Sequence, residues 1–503
     1  MKYLSSIVTA GAMALLAACG GGGGGGSSAP STPATATAPA PATVPEYQAL
    51  SNRCVAPRSG ADWNGKAYTD KQGSLNDELR WVRSFIDETY LWYKEVPAGI
   101  NMASYSNPLD YFAVLKTPAT TASGRPKDAF HFTYPTQQWQ MNQAGVTLGY
   151  GVTWYNRDTA SSRLWGVALV EPGSPAAVAG VQRGDLLDSV DGVSINDMSS
   201  AGTAKLNAGL FPDVAGARHQ LGLQRAGALL TVSLIAGNVN EAPVQNTKVF
   251  NTPTGAVGYL QFNDHNDVAE SALLQAFTTL KNANVNDLVL DMRYNGGGYL
   301  VVANQLAYMI AGPVATSGKV FDREVANDKR PVTAPSMFQS SSIGLSPALL
   351  SAGVSLPSLN LKRVTILTTP GTCSASEALI NGLRGIDVEV NLVGGGTCGK
   401  PYGFYPEDNC GNTYFAIQLQ VVNNKGDGDY ADGFSPTCAV EDDFGHALGD
   451  PAERLLSAAL NYRASGVCPA VRSARSLVAG NTDGNAPARL VRPGMKEIAV
   501  LHR

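Results

Sequence analysis

The sequence predicts a multidomain α/β protein with three folded parts: a mostly helical N-terminal region, a β-rich middle domain, and an α/β core with a partly parallel sheet. Three observations predict it. Apolar residues recur at helical spacing between Ser74 and Tyr93. From about residue 144, short β-prone runs are interrupted by glycine. From about residue 249, apolar strands alternate with helical segments, which is typical of parallel strands joined by helices.

The N-terminus has the pattern of a bacterial lipoprotein signal. Lys2 precedes an apolar run over residues 7–17, which ends in Leu16-Ala17-Ala18-Cys19. This run is shorter than the ~20 residues that a membrane-spanning helix needs. We therefore expect residues 1–18 to be removed as a signal peptide and Cys19 to carry lipid. An ordinary secretory signal is the alternative, and it would also export the chain.

Residues 19–46 predict a flexible tether that holds the folded body away from a membrane. Seven glycines, Gly20 to Gly26, precede a Ser/Thr/Pro/Ala stretch that has no charge before Glu46. Such a composition cannot bury a core. Gly20, directly after the cysteine, resembles bacterial sorting signals for the outer rather than the inner membrane. The expected location is the cell envelope, facing the periplasm.

Charge and cysteine content restrict the function classes. The net charge is only −4, which does not suggest nucleic acid as a partner. Apart from Cys19 the chain has an even number of cysteines in an exported protein, so disulfides are expected. Six cysteines allow 15 pairings; Cys398 and Cys410 flank a turn and are predicted to pair. The six are Cys54, Cys373, Cys398, Cys410, Cys438 and Cys468.

The middle region, residues 144–238, resembles a PDZ domain of the kind associated with bacterial proteases. The segment from Gly173 to Ile195 carries the resemblance: a Gly-Ser-Pro-Ala-Ala helix start, then Ala-Gly-Val-Gln-Arg-Gly-Asp, then Val-Asp-Gly before an apolar strand. The resemblance implies that a peptide adds to a sheet edge and that backbone amides receive its C-terminal carboxylate. Those amides would be at Leu148, Gly149, Tyr150 and Gly151. A spacer or lid role is the alternative.

The region over residues 244–468 is predicted to be the α/β core, preceded by a helical region over 47–143 and followed by a tail over 469–503. Predicted strands are Val257–Phe262, Leu288–Leu290, Val364–Thr368 and Val388–Val393. Predicted helices are Val268–Lys281, Leu300–Ile310 and Ser376–Leu383.

Ser374 and Lys400 are the candidate nucleophile and base. Ser374 follows a predicted strand and begins a helix, where backbone amides and the helix dipole favour a developing oxyanion. A serine hydroxyl needs a base, and none of the five histidines is near Ser374 in the sequence. Lys400 follows the next predicted strand and a Gly394-Gly395-Gly396 turn. Its amine can accept a proton only when neutral, a state that burial favours.

The motifs DMRYNGGG and SASE followed by GK resemble the tail-specific, or C-terminal-processing, peptidases, in which a PDZ domain precedes a Ser-Lys protease core. The resemblance extends to about Arg463 and maps the nucleophile onto Ser374 and the base onto Lys400. It implies oxyanion amides at Gly298, with Gly297 as the neighbouring possibility, and at Ala375. The family mechanism requires no metal or organic cofactor.

The sequence departs from that family at two positions. Many members carry a glutamine four positions after the lysine, where this chain has Phe404. Some need an aspartate in the helix after the serine, and the nearest acid here is Asp387. The sequence therefore supports a Ser-Lys dyad rather than a named triad.

Other readings of the motif residues are open. Cys373 is an alternative thiol nucleophile, whereas Ser376 and Glu377 are interpreted as helix-start residues. Asp291 and Arg293 are interpreted as a structural ion pair. The acidic stretch over residues 426–443 lacks the spacing of a calcium-binding EF-hand and is interpreted as a solvated loop.

The expected function is a serine endopeptidase that cleaves polypeptides near tails selected by the PDZ-like domain. The alternative is a lipoprotein scaffold that binds polypeptide tails without cleaving them. Retention of both Ser374 and Lys400 favours the enzyme.

Overall fold

A computed structural model describes residues 44–158, 162–469, 488–491 and 499–500. The predicted signal peptide, Cys19 and nearly all of the predicted tether lie outside the described residues. Within the described part of the chain, every helix is too short or too polar to cross a membrane.

The N-terminal region is mostly helical, with three short strands. Its longest helix starts after Ser74, whose side chain accepts a hydrogen bond from the Asp77 amide, while the Asp77 carboxylate accepts one from the Ser74 amide. Such reciprocal capping satisfies amides that a helix start leaves unpaired. The elements are α1 (Glu46–Leu50), β1 (Arg53–Cys54), β2 (Lys71–Gln72), α2 (Leu75–Thr89), 3₁₀ turns at Tyr93–Glu95 and Met102–Ser104, α3 (Pro108–Val114), β3 (Phe132–Pro135) and α4 (Thr136–Gln143).

The middle region is a small antiparallel sheet, as predicted from its short glycine-punctuated runs, and it carries two helices. Five of its strands lie in the order β10-β9-β7-β6-β5, and β8 pairs with β7. The elements are β4 (Val146–Gly149), β5 (Val152–Asn156), β6 (Trp165–Val170), α5 (Pro175–Val178), β7 (Leu186–Val190), β8 (Val193–Ser194), α6 (Ser200–Leu210), β9 (Arg218–Arg225), β10 (Ala228–Ile235) and β11 (Gly237–Asn240).

The core is built on a six-stranded sheet in the order β12-β13-β14-β18-β19-β24, antiparallel only between β12 and β13. The predicted partly parallel sheet is confirmed. The elements are β12 (Val244–Thr252), β13 (Gly255–Phe262), α7 (Ala269–Asn282), β14 (Asp287–Asp291), β15 (Gly298–Tyr299), α8 (Leu300–Thr316), β16 (Val320–Ala326), β17 (Ser336–Met337), β18 (Arg363–Thr368), α9 (Ala375–Gly385), β19 (Glu389–Gly394), β20 (Tyr402–Gly403), β21 (Glu407–Asn409), β22 (Asn412–Phe415), β23 (Leu419–Val422), β24 (Cys438–Ala439) and α10 (Arg454–Ser465).

Three loops meet at one edge of this sheet because parallel strands end on the same side. Asp291 near the end of β14 pairs with Leu367 of β18, and Thr368 of β18 pairs with Gly394 of β19. The loops that follow carry the DMRYNGGG motif, Ser374 and Lys400, respectively. The register of the sheet therefore assembles the predicted site.

The N-terminal region is fixed onto the core by packing and a covalent bond. Trp81 of α2 lies 4.8 Å from Tyr414 of β22 between ring centroids, and β3 pairs antiparallel with β22. Cys54 forms a disulfide with Cys410, 356 residues further along the chain. This attachment places Phe130, just before β3, beside the Lys400 side chain.

Two short C-terminal strands join other parts of the fold. β25 (Arg489–Val491) extends the PDZ-like sheet beside β5. β26 (Ala499–Val500) pairs parallel with β15. The sequence indicated only a tail over these residues.

Candidate active site

Ser374 lies at a sharp turn between β18 and α9, with backbone angles φ 60° and ψ −113°. A non-glycine residue rarely adopts positive φ, and such strained positions cluster at functional sites. The turn is held against the DMRYNGGG loop, because the Asn295 carbonyl accepts hydrogen bonds from the Cys373 amide and the Ser376 hydroxyl, each at 3.1 Å. Ser374 is buried, and its Oγ has no hydrogen-bond partner among the described residues. The hydroxyl is thus not committed to a structural bond there.

Lys400 is also buried, with 1% of its surface exposed. Its Nζ lies 4.0 Å from the centroid of the Phe404 ring and 4.8 Å from that of Phe130. Phe404, four positions after the lysine, therefore packs against the amine. The apolar rings make the poorly solvated environment that the sequence predicted for this lysine.

Glu377 connects the two candidate residues through their backbones. Its Oε2 accepts a hydrogen bond from the Ser374 amide at 3.0 Å and another from the Lys400 amide at 2.8 Å. Its Oε1 accepts from the Gly399 amide at 2.8 Å and from the Thr397 hydroxyl at 2.6 Å. Complete burial raises the pKa of Glu377, although these hydrogen bonds act in the opposite direction. The sequence analysis placed Glu377 correctly at the helix start. It did not predict the hydrogen bonds that the Glu377 carboxylate accepts from residues 397–400.

A disulfide joins Cys373, the residue before the nucleophile, to Cys398 in the Lys400 loop. The predicted Cys398–Cys410 pair is therefore wrong. The Cys398 amide donates to the Thr372 carbonyl at 3.0 Å, which brings Cys398 to Cys373, and Cys410 bonds to Cys54 instead. The alternative of Cys373 as a thiol nucleophile fails because its sulfur is already bonded.

The oxyanion candidates lie on both sides of the nucleophile. Ala375 is the first residue of α9, directly after Ser374. Gly297 donates its amide to Asn295 Oδ1 at 3.0 Å, so Gly298 is favoured over Gly297 as the other donor. Gly298 has φ +136°, and a Cβ there would lie 2.5 Å from the His265 carbonyl oxygen. Only glycine fits this close approach.

His265 supports the glycine loop and was not singled out from the sequence. Its ring Nδ1 lies 2.9 Å from Asn295 Oδ1, and its carbonyl accepts a hydrogen bond from the Tyr299 amide at 2.8 Å. Burial lowers the pKa of His265 to about 4, so the imidazole is neutral at physiological pH. The position of His265 before α7 gave no signal, since its role depends on the fold around residues 295–299.

The predicted carboxylate-binding residues line a separate cleft. Leu148 and Gly149 end β4, and Tyr150 and Gly151 lead into β5. The cleft is also lined by Leu210 at the end of α6, by residues 211–213 and by Tyr294 of the DMRYNGGG loop, whereas Ser374 and Lys400 are not among its lining residues. The structure thus groups these four residues with one another, but not with the candidate nucleophile.

A buried network of charges connects the PDZ-like domain to the glycine loop. Arg183, between α5 and β7, donates to the Tyr294 hydroxyl at 2.5 Å and to Asp442 at 2.9 Å. Arg293 also pairs with Asp442, at 2.7 Å. Burial raises the pKa of Asp442, but the guanidinium groups of Arg293 and Arg183 outweigh it and hold that pKa below its usual range. The interpretation of residues 426–443 as a solvated loop is therefore wrong at Asp442.

Arg293 also pairs with Asp291 and Glu453, each at 2.9 Å. The interpretation of Asp291 and Arg293 as a structural ion pair is confirmed. The sequence missed Glu453, because it lies 160 residues from Arg293.

Metal ligands of suitable type gather at two places within the described residues. One is Glu78 with Cys54 and Cys410, and the other is Glu377 with Cys373 and Cys398. Both cysteine pairs are disulfides, so their sulfurs are not available as thiolates. Neither cluster therefore offers thiolate ligands to a metal ion.

Comparison with known proteins gives the family. Residues 256–425 match the model of Peptidase family S41, and residues 77–134 match the Peptidase S41 N-terminal domain. The core region over residues 256–425 is thus assigned to peptidase family S41. The S41 core contains Ser374, Lys400 and the glycine loop, and residues 166–204 match a PDZ domain.

Relatives of this chain include the chloroplastic C-terminal processing peptidase of Tetradesmus obliquus. The two are 30% identical over 259 residues, covering 49% of this chain and 51% of the relative. The carboxyl-terminal-processing protease of Picosynechococcus sp. is 24% identical over 253 residues, covering 48% and 58%. The chain spans about half the length of the curated relatives it matches. An S41-assigned protein from Bacteroides fragilis shares the fold, with a TM-score of 0.59, 24% identity, and 77% and 97% of the two chains covered.

Proposed function

We propose that this protein is a serine endopeptidase that cleaves polypeptides near C-terminal tails, with Ser374 as nucleophile and Lys400 as general base. One observation carries the proposal: a single buried carboxylate oxygen of Glu377 accepts the backbone amides of both residues. This contact fixes the serine turn and the lysine loop side by side. The names of the relatives, C-terminal processing peptidases, support the substrate class.

The proposed reaction has two steps. The neutral Lys400 amine accepts the Ser374 proton while Oγ bonds to the peptide carbonyl carbon, and the amides of Gly298 and Ala375 stabilise the oxyanion. The resulting ammonium protonates the leaving amine as the carbon–nitrogen bond breaks. Water, deprotonated by the same amine, then hydrolyses the acyl ester and restores the serine. The burial of Lys400 beside Phe404 supports a poorly hydrated base.

Hydrolysis of an unfolded protein by the soluble body, residues 44–503, tests this proposal. Ser374→Ala and Lys400→Ala should each reduce turnover to background, and the double variant should be scarcely worse than either, because the two act as a unit. Lys400→Arg should also fail, because a guanidinium stays protonated. Activity in a folded Lys400→Arg protein would assign the base elsewhere, with His265 the first candidate. A wild-type protein that binds tails but never cleaves them would instead support the scaffold alternative.

We further propose that Cys19 anchors the protein by lipid in the cell envelope, with the outer membrane favoured over the inner. The support is the Leu16-Ala17-Ala18-Cys19 sequence with Gly20 after it. Metabolic labelling with a fatty acid should mark the wild type and not Cys19→Ala. Equal incorporation in the two would rule out the anchor.

A further inference from the structure

At one edge of the PDZ-like sheet, strand β5 is paired with β25 from the C-terminal part of the chain. β25 lies beside β5 in an antiparallel register, with Leu490 opposite Tyr155 and Val491 opposite Trp154. β25 is the last strand of that sheet, on the side away from β10. Addition of a strand to a sheet edge is how PDZ domains receive peptides. The C-terminal strand β25 therefore occupies the kind of edge that the PDZ resemblance implies for polypeptide substrates.

The segment is seated by side chains as well as by backbone pairing. Val491 packs against the hydrophobic core of the PDZ-like domain, which contains Trp154. Leu490 packs against a second cluster that contains Tyr155 and Leu448. Because Leu490 and Val491 are successive residues of a strand, they point to opposite faces of the sheet. Both faces of the edge are thus engaged.

β25 runs towards the candidate carboxylate-binding cleft. Val491 is itself one of the residues lining the cleft formed by Leu148–Gly151 and Leu210. In the antiparallel register, the chain advances from Asn156 towards Trp154 of β5, and thus towards Gly151. A substrate tail entering in the same orientation would meet the segment.

The same segment also reaches the catalytic loop. Ala499 pairs with Gly298 and Val500 with Tyr299, in a parallel register. Gly298 is the proposed oxyanion donor. β25 therefore contacts the edge implied to receive tails, and β26 contacts the loop proposed to stabilise the reaction.

We propose that the two C-terminal strands, β25 and β26, act as a tethered competitive ligand, which a polypeptide substrate must displace to reach β5 and β15. This inference rests on the proposed function for the identity of the competitor, but not on hydrolysis. A tethered segment has an effective concentration of about 1 mM. A segment that binds with a dissociation constant of ~0.1 mM would thus weaken the binding of a free peptide roughly tenfold.

The test uses Ser374→Ala protein, so that no peptide is cleaved. The probe is a fluorescent synthetic peptide with the sequence of residues 488–503, and binding is followed by polarisation. We expect a chain that ends at residue 487 to bind the probe roughly tenfold more tightly than the full chain. Leu490→Asp with Val491→Asp in the full chain should have the same effect, and a probe with those two changes should bind to neither.

Val314→Asp with Val332→Asp is the matched control, since both valines are more than 90% exposed and lie outside this edge. That variant should leave probe affinity unchanged. Equal affinity in the full and shortened chains would overturn the proposal, and so would loss of the folded PDZ-like domain on shortening, which would make β25 a structural strand. Hydrolysis by the wild type tests the proposed function independently, because probe binding requires no catalysis.

Discussion

Cys373 and Cys398 are covalently joined, and their bond connects the turn that carries Ser374 to the loop that carries Lys400. The nucleophile is one residue after Cys373, and the base is two residues after Cys398. Together with Glu377, which accepts amides from both segments, the bond fixes the relative position of the candidate catalytic pair. The following predictions use this geometry and the charge networks around it.

Loss of the Cys373–Cys398 bond should lower turnover more than stability. Cys373→Ala with Cys398→Ala should reduce kcat by roughly tenfold to a hundredfold, because small misplacements of reacting groups have effects of that size. The control is Cys438→Ala with Cys468→Ala, which removes the disulfide between β24 and the chain after α10. Steady-state measurement of kcat for the two double variants tests this prediction. An equal loss of kcat in both would show that the bond near Ser374 has no special role.

Glu377→Gln should impair the site, because an amide has only one acceptor oxygen for the four donors that face the carboxylate. Each buried donor left unpaired costs about 1–3 kcal/mol, so both thermal stability and kcat should fall. Glu270→Gln is a matched control, since the Glu270 carboxylate is also buried and accepts amides from Ile343, Gly344 and Leu345. It should lower the melting temperature without lowering kcat of the folded enzyme. Equal kcat in the two variants would assign Glu377 a purely structural role.

Arg183 should couple the PDZ-like domain to the glycine loop, because it contacts Tyr294 and Asp442. Arg183→Gln should reduce kcat/KM for a tailed polypeptide by about tenfold or more, since it leaves a buried carboxylate with one cation fewer. The control is Arg225→Gln, which removes the Arg225–Asp185 pair within the same domain. A comparable loss in the control would mean that the effect reflects domain stability and not the contact with the core.

Asp322 should make stability fall as pH rises. Burial raises the pKa of Asp322 to about 7, from 3.8 when unperturbed, and Glu324 adds to the effect. Between these values the folded state holds a proton that the unfolded state releases, so the free energy of unfolding decreases with pH until about 7. Asp322→Asn removes this titration. It should stabilise the protein by roughly 3 kcal/mol more at pH 8 than at pH 5. Denaturant unfolding at both pH values measures this difference. An equal change in the free energy of unfolding at pH 5 and pH 8 would contradict a raised pKa for Asp322.

The sequence predicted the core sheet and the candidate dyad because both depend on local patterns. β14 and β18 are short apolar runs followed by glycine or proline turns, and parallel strands necessarily bring the following loops to one edge. Ser374 and Lys400 follow from that geometry together with their motifs. Phe404 is close to Lys400 in the sequence and is apolar, so it indicated an apolar environment for the lysine, and its ring lies beside the Lys400 amine.

The remaining site features depend on contacts between distant segments. Glu377 accepts the Lys400 amide only because residues 397–400 fold over the first turn of α9. The pairing of Cys410 with Cys54 depends on how the N-terminal region packs against β22. β25 has only three residues, too few for any periodic signal. None of these contacts has a signature in local sequence.

The Cys54–Cys410 bond imposes an order on biogenesis. Its partners are separated by 356 residues, so during synthesis Cys54 emerges long before Cys410, the sulfur to which it is bonded in the fold. Four other cysteines lie after Cys54 in the described chain, and Cys373 and Cys398 emerge before Cys410. The N-terminal region can therefore be locked covalently to the core only after residue 410 has been made, whereas the Cys373–Cys398 bond can form earlier.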